Sequence, residues 1–598
     1  MKQNNPTWNG FLKKLFLQLM AVNIINGLVQ PINNLIDSMF IGGGLGVDAL
    51  SAYALFLPIS AFTVAISMVF SVGTQINCSH MLGRGDTNKV KSLTQTAFLS
   101  SIVFSIVLSI VLMIFSTQTA TLLGASSDIS GQIQNTSLYI RGYAIGIPFI
   151  FLTGVMMSLL QIEGKKKLIV LLSIVNLIIN VLGDIISIYV INAGLYGVAI
   201  ATSVANITVC IIAIIYFLFF SKMFKFSILG FRINELSMIL RDGLPSFSYY
   251  GSLVLKVLII NYITINFLDP VILAVIVVVN SYTNITDAIM GGCGDVTLLF
   301  EGILYGEKDI KSMRYLLKLA LISSSIIFIV ITVLTILLSP QIAAMFSDSS
   351  DLIFLQEASR AITIVSFSFV INGITCVIKK HTQAVKRRKY ASVTNILGNI
   401  VYMGLFSFLL VKILGTDGLF MSYTICYILI LITHLIYAKI ISLKTNHRGF
   451  DILLFLSKDY DIADRDIYST TIRTAEECVL ASREVERICG ERGIDDKRKH
   501  YARLIIEEVS LNVIEHGFDD KKDNIIIIRV IFGNDTITIS EKDNCKQFDP
   551  KAYYDIVSKD NNKSNSMGLH IYMQLAKNVA YTNSFDMNNL MVEIEQKS

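Results

Sequence analysis

Charge is scarce in this chain. Asp, Glu, Lys and Arg together make up 16% of its 598 residues, where a soluble protein carries about 25%, and the mean hydropathy is +0.61. The deficit is regional. Residues 1–445 run through long apolar stretches, whereas from about residue 457 the sequence is dense in charged side chains again. That pattern excludes a wholly soluble protein and implies two regions in two solvents. Paired cysteines are missing as well. The eight Cys are scattered, with no CxxC and no Cys/His spacing suited to zinc, so neither a disulfide framework nor a metal site is expected. Cys210, Cys376 and Cys426 fall inside apolar runs, where cysteine acts as a small hydrophobe. The stretch "MKQNNPTWNGFLKKLFLQLM" has no small-residue cleavage site and its apolar run continues for a full span, so no removable signal peptide is expected. No phosphoacceptor-histidine box precedes the tail, which argues against an ordinary histidine kinase. No nucleic-acid partner is expected.

What is present is membrane sequence. A bilayer core of about 30 Å takes about 20 mainly apolar residues per helix. Twelve such segments are expected, beginning near residues 15, 49, 94, 137, 168, 197, 244, 271, 315, 361, 391 and 418. The Ile/Leu/Val runs 102–114 and 321–338 have almost no polar pattern and should face lipid. Lys and Arg crowd one side: Lys13, Lys14, "GRGDTNKVK", "EGKKK", "KMFKF", "GEKDIKSMR" and "KKHTQAVKRRK". The opposite loops hold little beyond Arg141, Arg360 and Lys412. Since cytoplasmic loops carry the excess of Lys and Arg, both termini of this multi-pass cell-membrane protein are expected in the cytoplasm.

The chain also repeats at about 222 residues. "QIEGKKK" (161–167) matches "QAVKRRK" (383–389), "GLYG" (194–197) matches "GTDG" (415–418), and "GRGDTNKVK" (83–91) matches "GEKDIKSMR" (306–314). Six spans per unit give two parallel halves, which commonly enclose a cavity that opens alternately to each side. A channel or receptor does not need this duplication, so a transporter is expected. The expected division is a first bundle at 1–225, a second at 226–445, a linker at 446–465 and a cytoplasmic domain at 466–598.

The stretch "QPINNLIDSMFIGGGLGVDALSAYALFLPI" with Pro31 and Asp37, the later "GRGD", and "NVLGDIISIY…GLYGVAIATSVA" together resemble multidrug and toxic compound extrusion (MATE) transporters. The resemblance covers roughly residues 11–440. It implies an α-helical membrane fold of twelve transmembrane helices in two six-helix repeats. It also implies export of amphipathic organic compounds, often cationic, by H⁺- or Na⁺-coupled antiport. Ionisable groups inside a span are costly and are functional candidates by default. By the resemblance, Asp37, Asn180, Asp184 and Thr202 line a cation site in the first bundle. Two carboxylates buried close together cannot both stay charged without a cation, and loading one would bias the inward or outward state. Asp184 could instead cap a local polar cluster. In the second bundle, Lys256 and Asp287 could form an ion pair, or could touch substrate or a second coupling ion. Asp295 and Glu301 are expected to be solvated.

The tail reads as a strand near 465–474, a helix over 475–493 and a second helix over 496–516 closed by Gly517. Two strands follow around the turn 533–535, then a loop, a helix over 566–581 and a last strand near 590–595. This α+β sandwich resembles the GHKL ATP-binding fold, in its anti-sigma-factor serine-kinase branch, over roughly 466–596. "EVSLNVIEH" matches the E-x3-N-x3-H box, implying Asn512 as Mg²⁺ ligand and Glu508 as general base. "DNCKQFDP" implies Asp543 as the acceptor for the adenine amino group. "NSMGLH" places Gly568 at a helix start, where free N–H groups hold phosphate. Cys545 and Ser566 stand where the motifs have glycine, which allows close backbone approach. His516 is read as serving the helix end, where a cation is favoured.

Two functions are therefore weighed. One is an exporter of small organic compounds across the bilayer, with a tail that binds ATP and Mg²⁺ and regulates transport or docks a cytoplasmic protein. The other is a membrane-anchored anti-sigma-type protein-serine kinase whose transporter-like half is a sensor. A lipid-linked oligosaccharide flippase shares the architecture, but the intramembrane carboxylates argue mildly against it.

Overall fold

The computed structural model describes the chain apart from residues 1–5, 126–130, 222, 226, 228–229, 270, 346–351, 446, 458–459, 461–465, 519–523, 534–535, 558–572, 585–586 and 596–598. Among the described residues, eleven helices are long and apolar enough to cross a membrane, and a twelfth crossing is a helix pair bent by 45°. The first six crossings are α1 (Pro6–Leu45), α2 (Val47–Gly83), α3 (Thr87–Ile114), α5 (Gln132–Ile162), α6 (Lys166–Ile185) and α7 (Gly194–Phe219), with the short α4 (Ser116–Leu122) between α3 and α5. The second six are α8 (Ile233–Phe267), α9 (Val271–Glu307), α10 (Ile310–Ala344), the bent pair α11 (Leu352–Ser366) and α12 (Phe369–Ala384), α13 (Arg388–Ile396) continuing into α14 (Met403–Leu414), and α15 (Thr416–Thr445). A π-helical stretch ends the fifth crossing of the first half, at Ile186–Val190, and interrupts that of the second, at Leu397–Tyr402; such bulges gather at functional sites.

The repeat has a local physical cause. Asp86 and Asp309 are N-caps, accepting from Lys89 N at 3.0 Å and Ser312 N at 3.2 Å, the position where a short acidic side chain satisfies free helix donors. The turns before the third and fifth crossings of each half take left-handed backbone. The first half uses Gly85 (φ 70°) and Gly164 (φ 73°), and the second uses Lys308 (φ 57°) and Lys386 (φ 62°). The halves meet along α1–α9, α2–α8 and α2–α9, where glycine lets backbones touch. A Cβ on Gly73 would lie 2.1 Å from the Ile239 carbonyl, and one on Gly243 would lie 2.0 Å from that of Val69. The expected lipid-facing runs are exposed, including Val103, Val107, Ile110, Ile322, Ile326 and Val333.

The tail packs α16 (Ala475–Glu491) and α17 (Asp496–Asn512) on one face of an antiparallel sheet. Its strands are β1 (Ile467–Ile472), β2 (Ile526–Phe532), β3 (Thr536–Asp543), β4 (Asn578–Ser584) and β5 (Met587–Glu595), in the order β1-β2-β3-β5-β4. A short helix, α18 (Pro550–Val557), occupies what was expected to be loop. The helix expected over 566–581 is corrected. Its first residues lie outside the described ones, residues 573–575 are helical as expected, and from Asn578 the chain is strand, paired with β5 from Asn578↔Glu593 to Ser584↔Met587. The open edge of β5 supplies backbone partners there, and pairing overrides local helix propensity.

Candidate functional site

In the first bundle α1, α6 and α7 converge. Asp37, Asn180 and Asp184 are all buried, and Asp37 lies within electrostatic reach of Asp184 and Asn180. Asn180 Nδ2 donates to Thr202 Oγ1 at 3.2 Å. Asp37 Oδ1, both Asp184 oxygens and Asn180 Oδ1 receive no hydrogen bond from an N–H or hydroxyl donor, and the two carboxyls lie within hydrogen-bonding reach of each other. Buried polar atoms are normally satisfied, so four orphaned oxygens in one cluster form a donor set suited to a proton or a hard cation. A polar ladder leads on from it: Asn33 Nδ2 to Asn176 Oδ1 at 3.0 Å, Asn176 Nδ2 to Asn206 Oδ1 at 3.4 Å, and Asn206 Nδ2 to the Thr202 carbonyl at 2.8 Å. The ladder was not singled out from sequence. Its signal was there, because Asn176/Asn180 and Thr202/Asn206 are i, i+4 pairs on single helix faces. Tyr53 and Tyr139, with ring centroids 5.2 Å apart, flank both carboxylates and were likewise missed.

In the second bundle, Lys256 and Asp287 make no ion pair. Lys256 Nζ lies 5.2 Å from the centre of the Tyr423 ring, and Asp287 Oδ1 accepts from Asn372 Nδ2 at 3.3 Å. Lys379 sits over Tyr249 at 5.4 Å. Asp295 pairs with Lys380 at 2.5 Å. The expectation of a solvated Glu301 is overturned: it is fully buried beside His381, at 3.4 Å. The reason is the segment after α15, whose Leu454 carbonyl meets His381 Nε2 at 3.1 Å and closes over that corner.

In the tail, Asp543 is buried at the end of β3. Its Oδ1 accepts from Cys545 N at 2.9 Å and Asn588 Nδ2 at 2.7 Å, which leaves Oδ2 for a ligand's donor; burial raises its pKa. Cys545 turns against the end of α17: a Cβ on Gly517 would lie 3.3 Å from Cys545 Cβ, and Lys546 N donates to the Gly517 carbonyl at 2.9 Å. The turn after Asp543 thus meets, at one junction, the turn that follows Asn512. Asn512, the last residue of α17, is exposed, and Glu508 one turn earlier is half-buried. The chain then makes a π-helical turn, Val513–Gly517. His516 lies in that turn and is exposed beside Glu515 at 3.9 Å. Gly568 and Ser566 lie outside the described residues.

Sequence reading also passed over Glu541, two residues before Asp543 and therefore on the same strand face. It is buried, receives the Ser510 hydroxyl from α17, and is pushed up to about 8 by burial, partly offset by Ser510. A carboxyl raised in the folded state stabilises fully below its ordinary pKa and loses that contribution as pH climbs through the raised value. The tail should therefore unfold at lower temperature at pH 8 than at pH 5, by roughly 5 °C or more, read as the temperature at which buried Cys478 and Cys489 become labelled. In Glu541→Gln most of that difference should vanish.

The MatE family model matches residues 23–186 and 252–409, and a model described as a histidine kinase-like ATPase domain matches 473–593. The multidrug export protein MepA of Staphylococcus aureus (strain bovine RF122 / ET3-1) is 23% identical over 412 residues, covering 68% of this chain and 89% of that protein. The MepA of Staphylococcus saprophyticus is 23% identical over 409 residues, covering 67% and 89%. A crystal structure of MATE in complex with MaL6 superposes with TM-score 0.68 at 21% identity, over 72% of this chain and 96% of that one. An outward-facing multidrug resistance MATE family transporter superposes with TM-score 0.66 at 20% identity, over 72% and 95%.

Proposed function

The chain belongs to the MatE family of multi-pass membrane transporters, and on that premise we propose that it exports amphipathic organic compounds in exchange for H⁺ or Na⁺. Residues 473–593 form a histidine kinase-like ATPase domain, and the proposal assigns it a regulatory, nucleotide-binding role. The observation that carries the transport reading is the set of four orphaned oxygens on Asp37, Asn180 and Asp184. With Thr202, these residues would hold the coupling ion, and its arrival would neutralise a carboxylate pair that is otherwise costly to keep charged. The helices that present the pair are also those that must repack between states, so loading and opening are linked. The MepA relatives' description as multidrug export proteins supports a small organic substrate. Lys256 and Asp287, which make no ion pair with each other, are proposed to meet that substrate from the second bundle.

The tail side is assigned to the cytoplasm on the Lys/Arg asymmetry, with bundles at 1–225 and 226–445, a linker at 446–465 and the tail domain at 466–598. In the tail, Asn512 would hold Mg²⁺, Asp543 the adenine amino group and Gly568 phosphate, with Glu508 as general base. Bound Mg·ATP would supply a phosphoryl group for transfer. The transport work comes from the ion gradient.

The test is flux of an amphipathic cation dye in proteoliposomes of the full chain. An imposed pH or Na⁺ gradient is expected to accelerate dye movement by about tenfold, and Mg·ATP alone to leave it unchanged. Flux that follows ATP and ignores both gradients would sink the reading.

A further inference from the structure

The second face of the tail sheet is covered. Along β2, Ile526, Ile528 and Val530 pack under α16 and α17, so by alternation Ile527 and Arg529 point the other way. Ile525, Ile527 and Met587 form a separate buried cluster with Trp8 and Phe11 of α1. Arg529 donates from both terminal nitrogens to the Glu307 and Lys308 carbonyls, each at 2.8 Å. These are free acceptors at the C-terminus of α9, where a cation is favoured. Lys542 Nζ pairs with the buried Glu307 carboxylate at 2.5 Å and lies 5.6 Å from the Trp8 ring centre. On the other half, a Cβ on Gly85 would come within 2.6 Å of Met591 Cε and 2.9 Å of Ala580 Cβ.

The two turns gripped are equivalents in the repeat. Gly85 lies in "GRGD" of the first half, and Glu307 and Lys308 lie in "GEKD" of the second. Beneath the sheet, the bundles are shut against each other. A Cβ on Gly83 would lie 2.3 Å from the Ile303 carbonyl, and one on Gly306 would lie 2.4 Å from that of His80. The His80 ring meets the Ala384 carbonyl at 2.7 Å. Opening this side requires the bundles to rock apart, which separates the two turns, and one rigid sheet cannot follow both.

We propose that the outer face of the tail sheet is an interaction surface whose partner is the pair of repeat-equivalent turns of the two bundles, and that its docking clamps the transporter shut on the tail side. Each opening there requires the sheet to release at least one turn. The clamp rests on the transporter reading for the motion it restrains. It does not require nucleotide, because the docked face is opposite α17 and leaves Asn512 exposed.

The experiment uses the full chain in proteoliposomes, stripped of its eight native cysteines, with one reporter, Ser79→Cys. Ser79 is buried on α2 and faces Gly302 of α9 across the closed contact, with a Gly302 Cβ 3.1 Å from Ser79 Cβ. Arg529→Ala/Lys542→Ala removes the polar grip from the tail, and Glu307→Gln weakens it from the transporter, so a folding fault in one does not decide the result. Arg487→Ala, on the exposed face of α16, is the control. Maleimide labelling of the reporter is expected to rise about tenfold in both clamp variants, because breaking a buried charge pair shifts the closed-to-open equilibrium, and to stay unchanged in the control. Labelling at the parent rate in both clamp variants would overturn the proposal. The readout needs no transport, so a failed dye flux assay would count against the exporter reading and not against the clamp.

Discussion

Asp37→Asn is expected to cut gradient-driven dye flux by about two orders of magnitude while leaving the protein folded and inserted. Asparagine fills the space of the aspartate and keeps one acceptor toward Asn180, so packing between α1 and α6 should persist. What is lost is the ability to take up and release a proton, or to balance Na⁺, at a site where Asp37 Oδ1 and both Asp184 oxygens receive no hydrogen bond from an N–H or hydroxyl donor. Removing one of two mutually repelling buried carboxylates relieves a cost; thermal stability should hold or rise even as flux collapses. That combination separates a coupling role from a structural one, since a structural polar cluster would lose stability and flux together. Asp184→Asn should act in the same direction. Thr202→Val should act more weakly, because Thr202 contributes a single hydroxyl through its bond with Asn180. Flux within about twofold of the parent in Asp37→Asn would show that the four oxygens are not the coupling site.

The second large effect is expected in the tail. Asn512→Ala should weaken Mg·ATP binding to the full chain by about a hundredfold in calorimetry, roughly 2.7 kcal/mol, because its side-chain oxygen is the proposed ligand that would hold Mg²⁺. Asn512 is exposed at the end of α17 and supports no core contact, so the variant should unfold at the parent's temperature. Asp543→Asn should behave differently. Asp543 Oδ1 already holds Cys545 N and Asn588 Nδ2, which an asparagine oxygen can also do, so the amide nitrogen falls at the Oδ2 position proposed for the adenine amino group, donor against donor, and binding should fall with or without Mg²⁺. A parent chain that binds no Mg·ATP at millimolar concentration would mean that Cys545, seated against Gly517, closes the junction that glycine keeps open, and the nucleotide role would be lost.

Much of this was legible before any coordinates. Span length is set by bilayer thickness and hydropathy, both local properties, so the twelve crossings and the place of Asp37 and Asp184 within them were readable. The repeat was readable because each half needs the same N-cap aspartate, Asp86 and Asp309, after a left-handed turn. The α17 face bearing Glu508 and Asn512 followed from helical period alone, up to the π-helical turn at Val513–Gly517. Even the clamp left a trace that was not used. "IIIIRVIF" is apolar at nearly every position, and a strand with one wet face would alternate.

The sequence by itself determined this protein's class: two six-helix halves and an α+β tail, with carboxylates and amides at set heights in the membrane. Tertiary structure alone decided the partners. Lys256 meets Tyr423 and not Asp287, Glu301 is sealed against His381 by a segment more than 150 residues away, residues 578–584 join the sheet beside β5, and Arg529 reaches the end of α9. Each of these depends on where separate elements cross, and crossing is set by glycine contacts and shape complementarity summed over whole interfaces. Hydropathy and helical period act over one or two turns and carry no information on that scale.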